Sequence, residues 1–184
     1  KTFELWSSRL EQREIRSIFF GGGTPSLLDP NFVEFLLQKV DKLWGVSSDC
    51  EVTIEANPNS VSEIKFRTLR NIGINRVSVG VQALNNKDLN NLGRDHDKNQ
   101  AIEALQIVEK WFKNYNLDFI YGRQYQCTDE WSDELSQIIA LEAPHLSLYQ
   151  LTIEENTNFY KLFKRDLLKG IPTHKTTSEM FDVT

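Results

Sequence analysis

The run Gly21-Gly22-Gly23-Thr24-Pro25-Ser26 offers backbone rather than side chain to a ligand. Three successive glycines remove every Cβ from a turn, permit positive φ, and let N–H and C=O groups come within hydrogen-bond distance of a bound molecule. The same run also reads as a tight strand-to-helix turn. It is not a Walker loop, which needs Gly-Lys-Ser/Thr, nor the dinucleotide G-x-G-x-x-G. The polar side chains that stand beside it are Glu55 in Glu55-Ala56-Asn57-Pro58, Gln82 after Gly80-Val81, Arg94 in Leu92-Gly93-Arg94-Asp95-His96, and Asp118 between Leu117 and Phe119. A buried carboxylate such as Asp118 needs partners, and ligand hydroxyls or the Arg94 guanidinium would supply them. Taken singly, each of these residues serves equally well as a cap, a turn or half of an ion pair. His96 and His145 have no second ligand at i+4 and no Cys/His cluster around them, so they are not expected to bind metal. No G-x-S-x-G elbow for a serine hydrolase is present.

An alternation of short β-branched or aromatic runs with amphipathic stretches must position these groups. The strand candidates are 15–20, 51–55, 75–79, 116–120 and 145–149. Between the first two, Asp29-Pro30 reads as an N-cap with proline at N1, followed by the stripe Val33, Leu36, Leu37, Val40 and Leu43. Further helices are expected over 61–71 after Ser60, along Ala101, Ala104, Leu105, Val108 and Phe112, and along Trp131, Leu135, Ile138 and Ile139 after Thr128. Strands joined by crossover helices lie parallel, so the class is α/β, either an open doubly wound sheet or a whole or partial (β/α) barrel. Ligands bind such sheets at the C-terminal ends of the strands, and Gly22, Glu55, Gln82 and Asp118 all fall at that end of successive strands. By alternation Asp118 faces away from Leu117 and Phe119, which in a barrel is the lumen side. Residues 1–156 are expected to form the core, and 157–184, with two consecutive helices and no strand between them, the start of a following region.

Composition narrows the class. The chain of 184 residues is 40% hydrophobic and 26% charged with net charge −5, which suits one soluble domain and gives no basic footprint for nucleic acid or anionic lipid. Cys50 and Cys127 are isolated and read as reduced thiols. No stretch has the roughly 18 apolar residues that would span a bilayer. The opening at Lys1, without an initiator Met, suggests a piece of a longer protein.

Read in order, Phe19-Phe20-Gly21-Gly22-Gly23-Thr24-Pro25-Ser26, Glu55-Ala56-Asn57-Pro58, Asn75-Arg76-Val77-Ser78-Val79-Gly80-Val81-Gln82, Leu92-Gly93-Arg94-Asp95-His96, Asp118-Phe119-Ile120-Tyr121-Gly122 and Ser147-Leu148-Tyr149-Gln150-Leu151-Thr152-Ile153-Glu154 resemble the signatures of the oxygen-independent coproporphyrinogen III oxidase-like group of radical S-adenosylmethionine (SAM) proteins. Glu-Ala-Asn-Pro and Ser-Leu-Tyr-Gln-Leu-Thr-Ile-Glu are more similar to the HemW-type haem chaperones of that group than to its dehydrogenases. The resemblance implies a partial parallel (β/α) barrel of the radical SAM type, with its first strand missing here, that binds a [4Fe-4S] cluster and SAM at the strand ends. It implies that the Gly22-Gly23-Thr24 backbone lines the methionyl amino group, that Glu55 holds the cofactor, and that Gln82, Arg94 and Asp118 contact it, Asp118 through ribose hydroxyls. Tyr121 and Gly122 would shape the adenine side. The function implied is cytoplasmic haem binding and delivery to membrane haemoproteins. The alternatives are coproporphyrinogen III dehydrogenation in porphyrin biosynthesis, or an inactive truncated product.

Departures from the group bear on this expectation. Its Cys-x-x-x-Cys-x-x-Cys would lie upstream of Lys1, so this chain cannot hold the cluster by itself. Tyr121-Gly122-Arg123-Gln124-Tyr125-Gln126-Cys127-Thr128 stands where the group has Tyr-Gly-Leu-Pro-Gly-Gln-Thr, and Glu154-Glu155-Asn156-Thr157 stands for Glu-Pro-Gly-Thr. Loss of turn glycines and prolines predicts an altered loop conformation at both. The segment 15–20 is expected at a sheet edge, exposing apolar side chains.

Overall fold

The structure, a computed structural model, describes residues 2–10 and 14–184. The sequence also suggests a helix over residues 1–13, which falls partly outside the described residues; within them α1 spans Thr2–Ser7. The chain divides into two compact units, residues 1–80 with 102–116, and residues 81–101 with 117–184.

In the first unit β1 (Ile15–Phe20) pairs in parallel with β2 (Val46–Ala56), and β2 with the start of β3 (Arg76–Gln82). Helix α2 (Pro30–Trp44) connects the first pair. Its sequence dictates both ends: the Asp29 carboxylate accepts the Asn31 N–H at 2.9 Å, Pro30 needs no donor at N1, and Gly45 leaves the helix at φ 78°. Helix α3 (Glu63–Asn71) returns the chain to β3. Its N-cap position is Ser62, not Ser60 as the sequence suggests, because Ser60 closes the preceding 3-10 turn Pro58–Ser60 and the chain stays extended through Val61 and Ser62. Val33, Ile54, Phe66, Leu69, Ile74, Val77, Val79, Val108 and Phe112 form the core, with Phe66 and Phe112 meeting edge to face at 6.1 Å. β1 stands at the end of the strand order, and its Phe19 is 59% exposed, as expected of an edge strand.

Helix α5 (Lys98–Trp111) leads into β4 (Asn114–Tyr121). At its entry Tyr115 is buried and donates its phenolic O–H to the Glu109 carboxylate at 3.0 Å. Burial first, then that carboxylate, pushes the phenol up to about 12. The folded chain therefore holds this proton where the unfolded chain releases it. Stability is fully present below about pH 10 and declines as pH rises toward 12, by at most about 2–3 kcal/mol. Alkaline denaturation series on the wild type and on Tyr115→Phe will show the extra slope in the wild type alone; equal slopes would refute it.

In the second unit the end of β3, most of β4, and β5 (His145–Gln150) are consecutive neighbours in the sheet order. Helix α4 (Asn86–Asn91) is short and polar, and the Asn85 side chain caps it by accepting the Asp88 N–H at 2.9 Å. Helix α6 (Thr128–Ile139) begins one residue after its N-cap Cys127, whose N–H donates to Glu130. Helices α7 (Asn158–Lys164) and α8 (His174–Val183) end the chain. Trp131 of α6 is fully buried, stacks on Tyr121 at 5.2 Å, and donates its indole N–H to Thr184 at 2.9 Å, which anchors the end of α8. Among the described residues no helix is long and apolar enough to cross a membrane.

Candidate functional site

In the first unit, two strand ends are tied together. β1 runs straight into the tri-glycine turn, where Gly22 and Gly23 take φ of 85° and 66°. Those are left-handed values that a side chain would oppose, so glycine here is dictated by conformation. A Cβ on either would meet no atom within 4 Å, so the turn borders open space. Gly21 is held to glycine by proximity instead, since a Cβ would lie 2.7 Å from the Phe19 ring and 3.3 Å from the Glu55 carboxyl carbon. Glu55, next to last in β2 and half-buried, accepts the Gly22 N–H at 3.1 Å. Below it, Ser60 gives its only hydroxyl hydrogen to the Asn57 carbonyl at 2.7 Å, so in the 2.6 Å contact with Ser26 it is Ser26 that donates. These two contacts hold the loops after β1 and β2 in fixed register. Thr24 lies half-buried between them, before a 3-10 turn at Pro25–Leu27. An ionised carboxylate has about four lone-pair directions, so Glu55 can serve Gly22 and a cationic group together.

In the second unit, Gln82 ends β3 with φ of 72°, a left-handed value rare for a residue with a side chain. Strain of this sort costs on the order of 1–3 kcal/mol and gathers where a side chain must be aimed. Arg94 follows α4 and is half-buried; burial pulls its guanidinium below the usual range, and Asp95 opposes the shift. Asp118 lies mid-β4 rather than at the strand's end as the sequence suggests, because the strand continues through Tyr121; it is half-buried, while Leu117, Phe119 and Tyr121 are buried, as the expected alternation requires. Burial raises the Tyr121 phenol above its ordinary value.

Sequence reasoning missed an ionic network in this unit. Arg123 is 2% exposed; its Nε donates to Asp88 at 3.0 Å, its Nη1 to the Ile120 carbonyl at 2.6 Å, and its Nη2 to Glu134. Glu134, also buried, accepts the Leu84 N–H at 2.7 Å through its other oxygen. One signal was available: Glu134 falls on the apolar stripe of Trp131, Leu135 and Ile138, where a charge demands a buried partner. Gln126 closes the loop by accepting the N–H groups of Gly122 and Arg123 at 2.8 and 3.2 Å.

The altered loops keep left-handed turn residues. Tyr125 and Asn156, at the positions where the group has glycine, take φ of 63° and 68°.

The described residues hold no group of three or more His, Cys, Asp or Glu that could bind a metal. Of the two cysteines, Cys50 is buried and Cys127 exposed. A three-thiolate cluster site is not formed by these residues, so no chemistry is derived through one.

Successive parallel strands joined by helices, with a glycine turn and polar residues at the strand ends, define a (β/α) protein of the radical SAM type. The chain belongs to the Radical SAM superfamily, whose profile matches residues 6–135. Within it the similarity runs to the HemW-type group. The chain is 39% identical over 160 residues to the heme chaperone HemW of Buchnera aphidicola, covering 87% of this chain and 43% of that protein. With HemW of Escherichia coli it shares 41% over 148 residues, 80% of this chain and 39% of the other. Its fold matches that of coproporphyrinogen III oxidase (HemN) from Escherichia coli, with a TM-score of 0.82 at 22% identity over 98% of this chain and 41% of that one. The chain thus spans about two fifths of the length of these relatives.

Proposed function

We propose that this chain is the SAM-binding core of a HemW-like haem chaperone. The observation that carries the reading is the Gly22–Glu55 pairing at the ends of β1 and β2, in a chain about 40% identical to proteins named heme chaperone. Glu55, fixed by the Gly22 N–H, receives the methionyl ammonium, and the open backbone of Gly22, Gly23 and Thr24 flanks it. Gln82 presents an amide that both donates and accepts, Arg94 a cation for a carboxylate, and Asp118 an acceptor for the vicinal ribose hydroxyls. The whole protein binds haem and delivers it to membrane haemoproteins.

Calorimetric titration of the chain with SAM tests the core of this reading. Wild type binds, while Glu55→Ala and Asp118→Asn each weaken binding roughly ten- to a hundredfold, the scale of a charge-assisted hydrogen bond. Thermal melts of both variants, run beside the titrations, separate a loss of binding from a loss of fold. Unchanged affinity in both variants would defeat the assignment. For a protein carrying this core, haem transfer without porphyrinogen turnover supports the chaperone; 5′-deoxyadenosine with protoporphyrinogen IX would replace it with the dehydrogenase.

A further inference from the structure

The end of β3 carries an unusual backbone device. The Ala83 N–H donates to the Val81 carbonyl at 3.0 Å, across Gln82 at φ 72°. An i to i+2 hydrogen bond about a residue of positive φ is the strained form of the γ-turn, seldom adopted by a residue other than glycine. Left alone, such a turn would relax to negative φ and swing the Gln82 side chain to another direction. The same Val81 carbonyl lies 3.1 Å from Nε2 of His96, a residue only 4% exposed that belongs to no metal-binding group among the described residues. A carbonyl oxygen accepts only, so Nε2 must carry the proton. Nδ1 is then the unprotonated nitrogen, and it is buried with no hydrogen-bond partner among the described residues. A second proton there would leave a buried cation with nothing to accept its N–H, so the ring stays neutral; burial lowers its proton affinity in the same sense.

We infer that His96 is the positioning residue of the candidate site: its Nε2–H clamps the Val81 carbonyl, holds the γ-turn closed, and thereby aims Gln82 at the ligand. The proposal rests on Gln82 as a SAM contact for its functional consequence, but the clamp itself does not depend on any ligand. His96 was set aside in the sequence as a poor metal ligand; its place two residues after Arg94 also puts the clamp and a second candidate contact on one short segment.

Nuclear magnetic resonance of the full chain tests the clamp without ligand. The nitrogen shifts of His96 should report the Nε2–H tautomer, and the couplings of Gln82 a positive φ. His96→Gln places an amide donor near the Nε2 position and should keep Gln82 at positive φ; His96→Phe fills the space without a donor and should release Gln82 to negative φ. SAM titration then reads the consequence. His96→Phe should weaken binding about tenfold, His96→Gln should recover most of that loss, and in a Gln82→Ala background His96→Phe should have no further effect. An Nδ1–H tautomer, a positive Gln82 φ retained in His96→Phe, or the same loss of affinity with and without the Gln82 side chain would overturn the proposal. If His96→Phe does not fold, the wild-type tautomer and the Gln82 φ of His96→Gln decide it. If the wild type binds no SAM, the proposed function fails, while the tautomer and the Gln82 φ still decide the clamp.

Discussion

Replacing Arg123 with leucine will cost about 3–5 kcal/mol, a fall in melting temperature of roughly 6–20 °C for a chain of this size. Leucine is the residue that the related group carries at this point of the loop, so tolerance would be the naive expectation. The neighbours decide otherwise. Asp88 and Glu134 are 9% and 6% exposed, and both pair with one guanidinium. Removing it leaves two buried negative charges facing each other. The Leu84 and Gln126 donors to Glu134, at 2.7 and 3.4 Å, and the Asn85 amide on Asp88 at 2.9 Å do not neutralise them. Taking out one partner of a buried pair costs far more than replacing the whole set by neutral groups, because the penalty is an uncompensated charge. The triple variant Arg123→Leu, Asp88→Asn, Glu134→Gln should therefore recover most of the loss. Thermal melts of the two variants against wild type measure this, and an Arg123→Leu protein as stable as the wild type would show that the network carries no stability.

Gly170→Ala should be the next most damaging single change, at about 2–5 kcal/mol. Gly170 takes φ of 72°, which costs an alanine about 1–2 kcal/mol. Its new methyl would also overlap two ring atoms of Tyr125 and sit 2.7 Å from the ring's first carbon. That carbon lies next to the backbone, and the Tyr125 N–H is itself bonded to the Gly170 carbonyl, so the ring cannot simply swing aside. Overpacking of this kind adds about 1–3 kcal/mol. Pairing Gly170→Ala with Tyr125→Gly removes the obstructing ring and places glycine at φ 63°, so the double variant should regain most of the loss. Urea midpoints supply the comparison. A Gly170→Ala midpoint equal to wild type would mean that the two backbones are not held together as described.

Tyr125 and Asn156, two residues with side chains, both take left-handed φ in their loops. Asparagine does so readily because its short polar side chain tolerates that region. Tyrosine does not, and at Tyr125 the backbone bond to Gly170 and the Gln126 side chain bonding to Gly122 and Arg123 hold the turn. Tertiary contacts there overrule a local preference of a kcal/mol or two.

Elements with strong local signals were legible. Strand Ile15–Phe20 is found at the residues expected, because β-branched and aromatic residues end at a glycine turn. Helix α2 starts at Pro30 after its Asp29 cap, as read. Strand β2 extends five residues before the expected 51–55 and one beyond it, and the sequence does not show the earlier start because Val46-Ser47-Ser48-Asp49-Cys50 has no apolar alternation. Its extension is maintained by pairing of Val46 with Ile15, across a register irregularity that sequence cannot display. Helix α4, Asn86-Lys87-Asp88-Leu89-Asn90-Asn91, was not anticipated for a similar reason: its residues are poor helix formers, and burial of Leu89 with the Asn85 cap stabilises it.

The sequence by itself determined the α/β class, the alternation of strands with helices along the chain and the glycine turn after β1, because hydrophobic period, caps and glycine turns are written over a few neighbouring positions. Only the tertiary structure decided that Glu55 receives the Gly22 N–H, that Ser26 donates to Ser60, that Arg123 is buried between Asp88 and Glu134, and that His96 reaches the carbonyl beside Gln82. Those partners lie 11 to 35 residues apart in the chain. Their contacts follow from how the backbone closes on itself, and no local pattern of residue types encodes that closure.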